Sequence, residues 1–261
     1  MLDQPLQVRV DAPSGTIILK RPDRRNALSR DLVNRLRQAL SDLHQEKSVR
    51  AVILTGTGDV FCAGTDLHEI QSTSATDDSQ LQWQKDASQF RQLLEQMLQF
   101  PKPIIAALNG PAIGSGTALV LAADLVLGTS SSSFCVPEVK RGLVGGWTAP
   151  LLAFRVGAGH AARLLLTAME MDAEQAHRIG LYQEIVPHDM IWVRANELAQ
   201  TVAQSSHEAV TSTKRLLNET VGDAIRTQLF SAAAATASAR TTAAAAEGVA
   251  AFLEKRAPEW P

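Results

Sequence analysis

The chain has few of the residues that would mark a secreted, membrane-bound or nucleic-acid-binding protein. Two cysteines in 261 residues cannot build a disulfide framework and suit a reducing compartment. A formal net charge of −2 creates no field that would attract nucleic acid or an anionic membrane. No apolar run approaches the roughly 20 residues of a membrane span, and the first residues lack the features of a secretion signal. We expect a cytoplasmic protein that binds neither nucleic acid nor membranes.

Metal-binding patterns are also lacking. The six histidines show no metal-ligand spacing, and His68-Glu69 lacks the second histidine of a zinc-binding helix. Cys62 and Cys135 have no histidine nearby in sequence that would hold a thiolate, so we interpret both as small core residues. The sequence predicts no metal site.

Apolar residues make up 45% of the chain, which is enough for a full core. Strand and helix patterns alternate with short links up to about residue 145, as is typical of β-α-β units. From residue 190 onward nearly every segment is helical, and the alanine-rich stretch 232–251 requires closely packed partners. We expect an α/β core over residues 1–189 and a C-terminal helical layer over 190–261.

Local patterns place the individual elements. A hairpin is predicted over 8–19, and Ser29 is expected to cap the helix that follows it. The polar segment 72–79 predicts a mobile surface loop. Buried strands are predicted at 51–54, 103–108, 124–127 and 184–186.

Two glycine-containing turns, at 61–67 and 109–119, run directly into helix-like segments. Such turns leave backbone N–H groups free before the helix, where the helix dipole adds positive potential. The N–H groups of Thr65 and Ser115, each just after a glycine, are therefore our candidates for holding one oxygen anion. Each such donor can contribute roughly 3–4 kcal/mol to a developing oxyanion. A single turn of this kind is unspecific, so the pair is the informative feature.

A carboxylate follows the two turns at short range. The segment 135–139, Cys-Val-Pro-Glu-Val, contains Glu138, and Pro137 restricts the residue before it to extended geometry. An oxyanion site with a carboxylate nearby is the apparatus that forms and protonates an enolate. Taken alone, Glu138 fits a solvated loop residue, whereas the flanking motifs favour a catalytic role.

The order and spacing of these motifs resemble the crotonase (enoyl-CoA hydratase/isomerase) superfamily. The matching motifs are Phe-Cys-Ala-Gly-x-Asp-Leu at 61–67, Lys-Pro-x-Ile-Ala-Ala-Leu-Asn-Gly-x-Ala-x-Gly-x-Gly at 102–116, and Phe-x-x-Pro-Glu at 134–138. The resemblance implies a spiral of β-β-α units, a C-terminal helical trimerisation region, and homotrimers or dimers of trimers. It also implies acyl-CoA thioesters as substrates and no cofactor beyond the CoA that they carry. Thr65 and Ser115 match the family's two oxyanion positions, and Glu138 matches a catalytic glutamate.

The resemblance further implies a set of CoA contacts. The residues it suggests around the nucleotide and pantetheine are Arg25, Ala27, Ala63, Asp66 and Leu67, with Phe252 and Lys255 of a neighbouring subunit. The residues themselves agree in part, because the segment 21–25 is a basic turn that suits phosphates. Trp147 is open to two interpretations: a wall of the acyl pocket, or a core tryptophan at a helix start.

The sequence departs from the family pattern at Ala118. Classical hydratases of the family have a first glutamate there, and two carboxylates then share one water. Isomerases of the family often use the single glutamate that Glu138 matches, so a one-base isomerase of 3-enoyl-CoA fits these residues better. Hydration of 2-enoyl-CoA, C–C cleavage or decarboxylation, and CoA-ester binding without turnover remain open. Asp66 and Glu69 lie near the first turn in sequence and are interpreted as a helix cap and a solvated face.

Overall fold

The computed structural model describes residues 4–261, with side chains described throughout except at 220–223. The expected hairpin forms from β1 (Leu6–Asp11) and β2 (Ser14–Leu19), which pair antiparallel. Ser29 caps α1 (Arg30–Gln45) as predicted, because its side chain accepts the N–H of Leu32. The buried face of α1 carries leucines at helical spacing, and these pack into the main core.

The main sheet has six strands in the order β1-β2-β3-β4-β6-β9. Its further strands are β3 (Ala51–Gly56), β4 (Ile104–Leu108), β6 (Leu125–Thr129) and β9 (Glu184–Val186). Every pairing after the first hairpin is parallel, so the strands run the same way and their carboxyl ends share one edge. The four predicted strands are therefore confirmed as neighbours in one sheet.

A second, smaller sheet lies at the ends of the main strands and was not predicted. It consists of β5 (Ala112–Ile113), β7 (Ser133–Cys135) and β8 (Met171–Asp172). After β4 and after β6 the chain passes to a short strand, β5 or β7, and then to a helix, as in a spiral of β-β-α units. The short strands hold the segments that contain the candidate site residues.

The helices of the core partly differ from the prediction. These helices are α2 (Leu67–Ser74), α3 (Ser79–Gln99), α4 (Ser115–Ala122), α5 (Thr148–Thr167) and α6 (Ala173–Arg178). The mobile loop expected over 72–79 is wrong in extent, since only residues 75–78 lie between α2 and α3. Helix α5 breaks at Gly157, which has φ of 80°.

The C-terminal part is helical, as the sequence predicted. It comprises α7 (Ile191–Ala203), α8 (His207–Ala239) and α9 (Ala243–Leu253). A buried ion pair between Lys214 Nζ and Asp124 Oδ2, 2.6 Å apart, joins α8 to the core. Among residues 4–261, no helix combines the length and apolar character required to cross a bilayer.

Candidate active site

The two glycine turns lie side by side. A Cβ built on Gly64 would stand 2.7 Å from the carbonyl oxygen of Ile113 and 3.0 Å from the backbone nitrogen of Ser115. Gly64 also has φ of 84°, in the left-handed region that favours glycine. Only glycine therefore allows the first turn to approach the second so closely.

Backbone hydrogen bonds fix this arrangement. The N–H of Ile113 donates to the carbonyl of Cys62 over 2.9 Å, and the N–H of Gly114 donates to the carbonyl of Cys135 over 2.8 Å. The second turn is therefore bonded on one side to the first turn and on the other to the strand that leads to Glu138. The small sheet thus brings the three sequence motifs to one place.

The residues that carry the two candidate donors are neighbours in the structure. The side-chain hydroxyl oxygens of Thr65 and Ser115 are 2.8 Å apart. Neither backbone N–H donates to a backbone acceptor among the described residues, and Ser115 is the first residue of α4, where helix N–H groups have no intrahelical partner. Two N–H groups are thus free for one oxygen atom.

Gly116 lies close against the first turn. A Cβ on Gly116 would meet the carbonyl oxygen of Cys62 at 2.5 Å and its Sγ at 3.0 Å. The small residue at this position therefore allows α4 to pack against the first turn.

Glu138 lies directly beside the second turn. It begins a short 3-10 helix, Glu138–Arg141, that follows Pro137. Its Oε1 is 2.9 Å from the point where a Cβ on Gly114 would stand, so the carboxylate faces the turn that carries the Ser115 N–H. Its Oε2 is buried and has no hydrogen-bond partner in the described part of the chain. A solvated loop residue would show neither property.

Burial raises the pKa of Glu138 from 4.5 to about 7, against a smaller opposing effect of its own backbone N–H and the Arg141 charge. A carboxyl group with a pKa near neutrality can both take and return a proton. Its buried, unpartnered Oε2 separates Glu138 from Asp66 and Glu69, the other carboxylates near the two turns.

Those other carboxylates are engaged elsewhere. Asp66 caps α2 as predicted, with Oδ1 accepting the His68 N–H, and its Oδ2 pairs with Arg21 at 3.1 Å. The prediction that Glu69 lies on a solvated face is wrong. Glu69 is half-buried, and its Oε2 accepts the backbone N–H of Arg30 over 3.0 Å. Burial also raises the pKa of Glu69.

Ala118 is fully buried in the middle of α4, where the side chains of all eight residues are buried. The helix that supplies the Ser115 donor therefore brings no ionisable group to the site. The two-carboxylate arrangement of classical hydratases is missing at this position.

A small cavity of about 40 Å³ adjoins Thr65. Trp147, 5% exposed, lines it and packs edge-on against Phe90 with ring centroids 4.8 Å apart. Trp147 stands immediately before α5, so it is both a core tryptophan and part of the cavity wall. The interpretation as a core tryptophan is confirmed, and its role as a wall of the acyl pocket stays a prediction.

The same cavity has a charged wall that the sequence gave no reason to expect. Arg30 from α1 and Asp86 from α3 form a bidentate ion pair. The Arg30 Nε is 2.8 Å from Asp86 Oδ1, and its Nη2 is 2.9 Å from Oδ2. Arg240, just after α8, is buried beside them, with its Nη1 3.9 Å from Asp86. These residues are far apart in sequence, and only the packing of three helices brings them together.

The structure also groups the expected CoA-contact residues on the core. The N–H of Ala63 donates to the carbonyl of Arg25, and the N–H of Asp66 donates to the carbonyl of Leu28. The segment containing Arg25 and Ala27 therefore runs alongside the segment that contains Ala63, Asp66 and Leu67.

Phe252, expected to reach the nucleotide from a neighbouring subunit, has a contact within the chain itself. Phe252 of α9 packs against the Arg141 guanidinium, 4.2 Å from the ring centroid, and Lys255 follows the end of α9. Arg141 was missed by sequence reasoning, because nothing in the local pattern distinguishes it from a surface arginine. Its position three residues after Glu138 places it at the edge of the site.

The two cysteines, Cys62 and Cys135, both have thiol groups whose pKa is raised. Cys62 is fully buried, its thiol donates to the Asn26 carbonyl, and burial raises its pKa to about 12. Burial also raises the pKa of the half-buried Cys135. Both remain thiols at neutral pH, in line with their interpretation as packing residues.

The family model for enoyl-CoA hydratase/isomerase matches residues 13–261. The chain belongs to the enoyl-CoA hydratase/isomerase family. Among its relatives, a putative enoyl-CoA hydratase of Thermus thermophilus is 36% identical over 246 residues, covering 94% of this chain and 96% of the relative. The 1,2-epoxyphenylacetyl-CoA isomerase of Escherichia coli K12 is 30% identical over 251 residues, covering 94% of each chain.

Solved structures agree with the family assignment. The crystal structure of an enoyl-CoA hydratase/isomerase from Mycobacterium paratuberculosis superposes with a TM-score of 0.87 at 28% identity, covering 95% of this chain and 98% of that one. The chain is thus an acyl-CoA enzyme of the enoyl-CoA hydratase/isomerase family with the crotonase fold.

Proposed function

We propose that this enoyl-CoA hydratase/isomerase family member is an isomerase that converts 3-enoyl-CoA to 2-enoyl-CoA with Glu138 as its single base. The observation that carries the proposal is the contrast between Glu138 and Ala118. One carboxylate beside the oxyanion donors has a raised pKa and an unpartnered oxygen, and the second carboxylate of a hydratase is replaced by a buried methyl group.

The chemistry follows from the groups in place. The thioester oxygen accepts the N–H groups of Thr65 and Ser115, which stabilises negative charge on it and acidifies C2. The Glu138 carboxylate takes a proton from C2, and the electron pair spreads over the dienolate. The same carboxyl group returns the proton at C4, so the double bond moves from C3–C4 to C2–C3 and Glu138 is regenerated. No resident cofactor enters this sequence.

The proposal includes the surroundings of this site. CoA lies along the paired segments that contain Arg25, Ala27, Ala63, Asp66 and Leu67, with Phe252 and Lys255 at the nucleotide end. Assembly into homotrimers or dimers of trimers is supported by the apolar side chains that α8 exposes, among them Leu217 at 66% and Phe230 at 57%.

Hydration of 2-enoyl-CoA is the second candidate, and Glu69 favours it. This half-buried carboxylate borders the same cavity as Thr65, and burial raises its pKa. In a hydratase it would share a water with Glu138. Its bond to the Arg30 N–H leaves one carboxylate oxygen for that purpose.

A proton NMR time course in D2O separates the two reactions. We expect 3-enoyl-CoA esters to give 2-enoyl-CoA without water addition, and we expect Glu138→Gln to abolish this migration. Formation of a 3-hydroxyacyl product from 2-enoyl-CoA, at a rate comparable to that of migration, would show that the enzyme is a hydratase and not an isomerase. If no migration, no hydration and no C2 deuterium exchange were observed, both assignments would be contradicted. Binding without turnover would then be favoured.

The pH dependence of the reaction follows from the pKa of Glu138. The base must be ionised to take the C2 proton, and its folded-state pKa is about 7. Log kcat/KM should therefore rise with a slope of 1 up to about pH 7 and level off above it. Initial rates between pH 5 and 9 measure this profile. A plateau extending down to pH 5 would show that another group is the base.

A further inference from the structure

The cavity beside Thr65 has a polar wall that double-bond migration does not use. Arg240 lines this cavity and also a second cavity of about 480 Å³ between α2, α3 and the segment leading into α9. Ile70 is the other residue that borders both. Arg240 therefore stands at the partition between the space next to the oxyanion donors and a larger space beyond it.

Arg240 is 6% exposed, and its Nε and Nη1 have no hydrogen-bond partner among the residues that the structure describes. The indole Nε1 of Trp147 in the first cavity and that of Trp83 in the second are likewise buried without partners. All of these atoms are donors only. Leaving buried donors unpaired costs stability, so a ligand that completes this wall must bring acceptors.

The neighbouring carboxylates do not supply those acceptors. Asp86 directs its oxygens to Arg30 at 2.8 and 2.9 Å, and its separation of 3.9 Å from Arg240 is too long for a hydrogen bond. Glu69 holds the backbone N–H of Arg30. Arg30 therefore has hydrogen-bonded carboxylate partners. The Nε and Nη1 atoms of Arg240 have no such partner among the described residues.

We propose that Arg240 binds a carboxylate at the far end of the acyl group, so that the preferred substrates are acyl-CoA thioesters with a second acid. A planar guanidinium suits a planar carboxylate, which it can grip through two parallel N–H bonds. Asp86 and Glu69 border the same cavity, so a dianion such as a phosphate would meet more repulsion than a single carboxylate does. This inference rests on the proposed function for the reaction and extends it to the substrate.

The first test compares matched substrates on the unaltered enzyme. Straight-chain 3-enoyl-CoA esters of five to eight carbons are prepared in pairs, one member ending in a methyl group and the other in a carboxylate. At the best length, kcat/KM should favour the carboxylate member by about 100-fold, because the methyl member leaves the guanidinium unpaired. Equal rates, or a preference for the methyl member at every length, would overturn the proposal.

The second test changes the arginine. Arg240→Met should reduce the ratio of the two kcat/KM values by about 100-fold, and Arg240→Lys, which keeps the charge without the planar fork, should reduce it by about tenfold. Arg35→Met is the matched control, because Arg35 is an exposed arginine of α1 paired only with Asp31. If Arg240→Met lowered both rates equally and left the ratio intact, Arg240 would be a structural residue and the proposal wrong.

A binding measurement separates this proposal from the reaction on which it rests. Calorimetric titration of the wild-type enzyme with saturated hexanoyl-CoA and with adipoyl-CoA, its carboxylate-ended counterpart, needs neither turnover nor a variant. Tighter binding of adipoyl-CoA without any migration would uphold the anion site and reject the isomerase. Migration with equal binding of the two thioesters would uphold the isomerase and reject the anion site.

Discussion

Glu138→Gln should lower kcat for double-bond migration by about 10³-fold, because the amide cannot take the C2 proton. The side chain keeps its shape beside Gly114, so KM should change little. Steady-state rates with a 3-enoyl-CoA ester measure the loss. A variant that retained more than a tenth of wild-type kcat would show that Glu138 is not the base.

Glu69→Gln is the matched control, since it removes the other titratable carboxyl group of raised pKa in this region and keeps an oxygen for the Arg30 N–H. A one-base isomerase should lose less than about tenfold in kcat with this change. A loss as large as that of Glu138→Gln would show that two carboxylates act together, as in a hydratase.

The stability of the Glu138→Gln variant provides an independent test of the raised pKa of Glu138. The folded-state pKa of Glu138 is raised from 4.5 to about 7, so ionised Glu138 destabilises the fold. This cost is absent below pH 4.5, grows between pH 4.5 and 7, and is complete above pH 7. Glu138→Gln should therefore raise the free energy of unfolding by on the order of 2 kcal/mol at pH 8, with no gain at pH 4.

Gly64→Ala should lower kcat by about 10²- to 10³-fold, comparable to removal of one oxyanion donor. The added Cβ would meet the Ile113 carbonyl at 2.7 Å and the Ser115 nitrogen at 3.0 Å, both of them backbone atoms that cannot move aside cheaply. The two turns must then separate, and the two N–H groups no longer converge on one oxygen.

Gly180→Ala tests whether backbone strain alone explains such a loss. Gly180 has φ of 78°, close to the 84° of Gly64, but a Cβ there would meet nothing within 4 Å. Both variants should lose about 1 kcal/mol or more of stability, and only Gly64→Ala should lose activity. Equal kcat losses in the two variants would mean that strain, and not the position of the Ser115 donor, is responsible.

Parts of this site could be predicted from sequence because each part has a local pattern. The N–H donors of Thr65 and Ser115 follow from glycine turns before helices, and Glu138 follows directly after Pro137. The central strands β3, β4 and β6 contain short apolar runs, so each is visible within a short window. Such features depend on the residues immediately around them.

The features that escaped prediction depend on residues distant in sequence. Gly116 gives no local sign that it packs against Cys62, and two-residue strands such as β5 are too short to produce an alternating pattern. The ion pair of Arg30 with Asp86, and Arg240 beside it, requires the relative placement of α1, α3 and α8. A charged residue on a helix looks solvated until that placement is known.

The packing beneath the catalytic turn has a consequence for the newly made chain. Gly142 lies against the Ala244 carbonyl, and Gly248 lies against the backbone of Arg141, so the turn that presents Glu138 rests on α9. The ribosome produces both oxyanion turns and Glu138 long before this support. A nascent or C-terminally clipped chain therefore carries Thr65, Ser115 and Glu138 but lacks the helix against which the Glu138 turn packs.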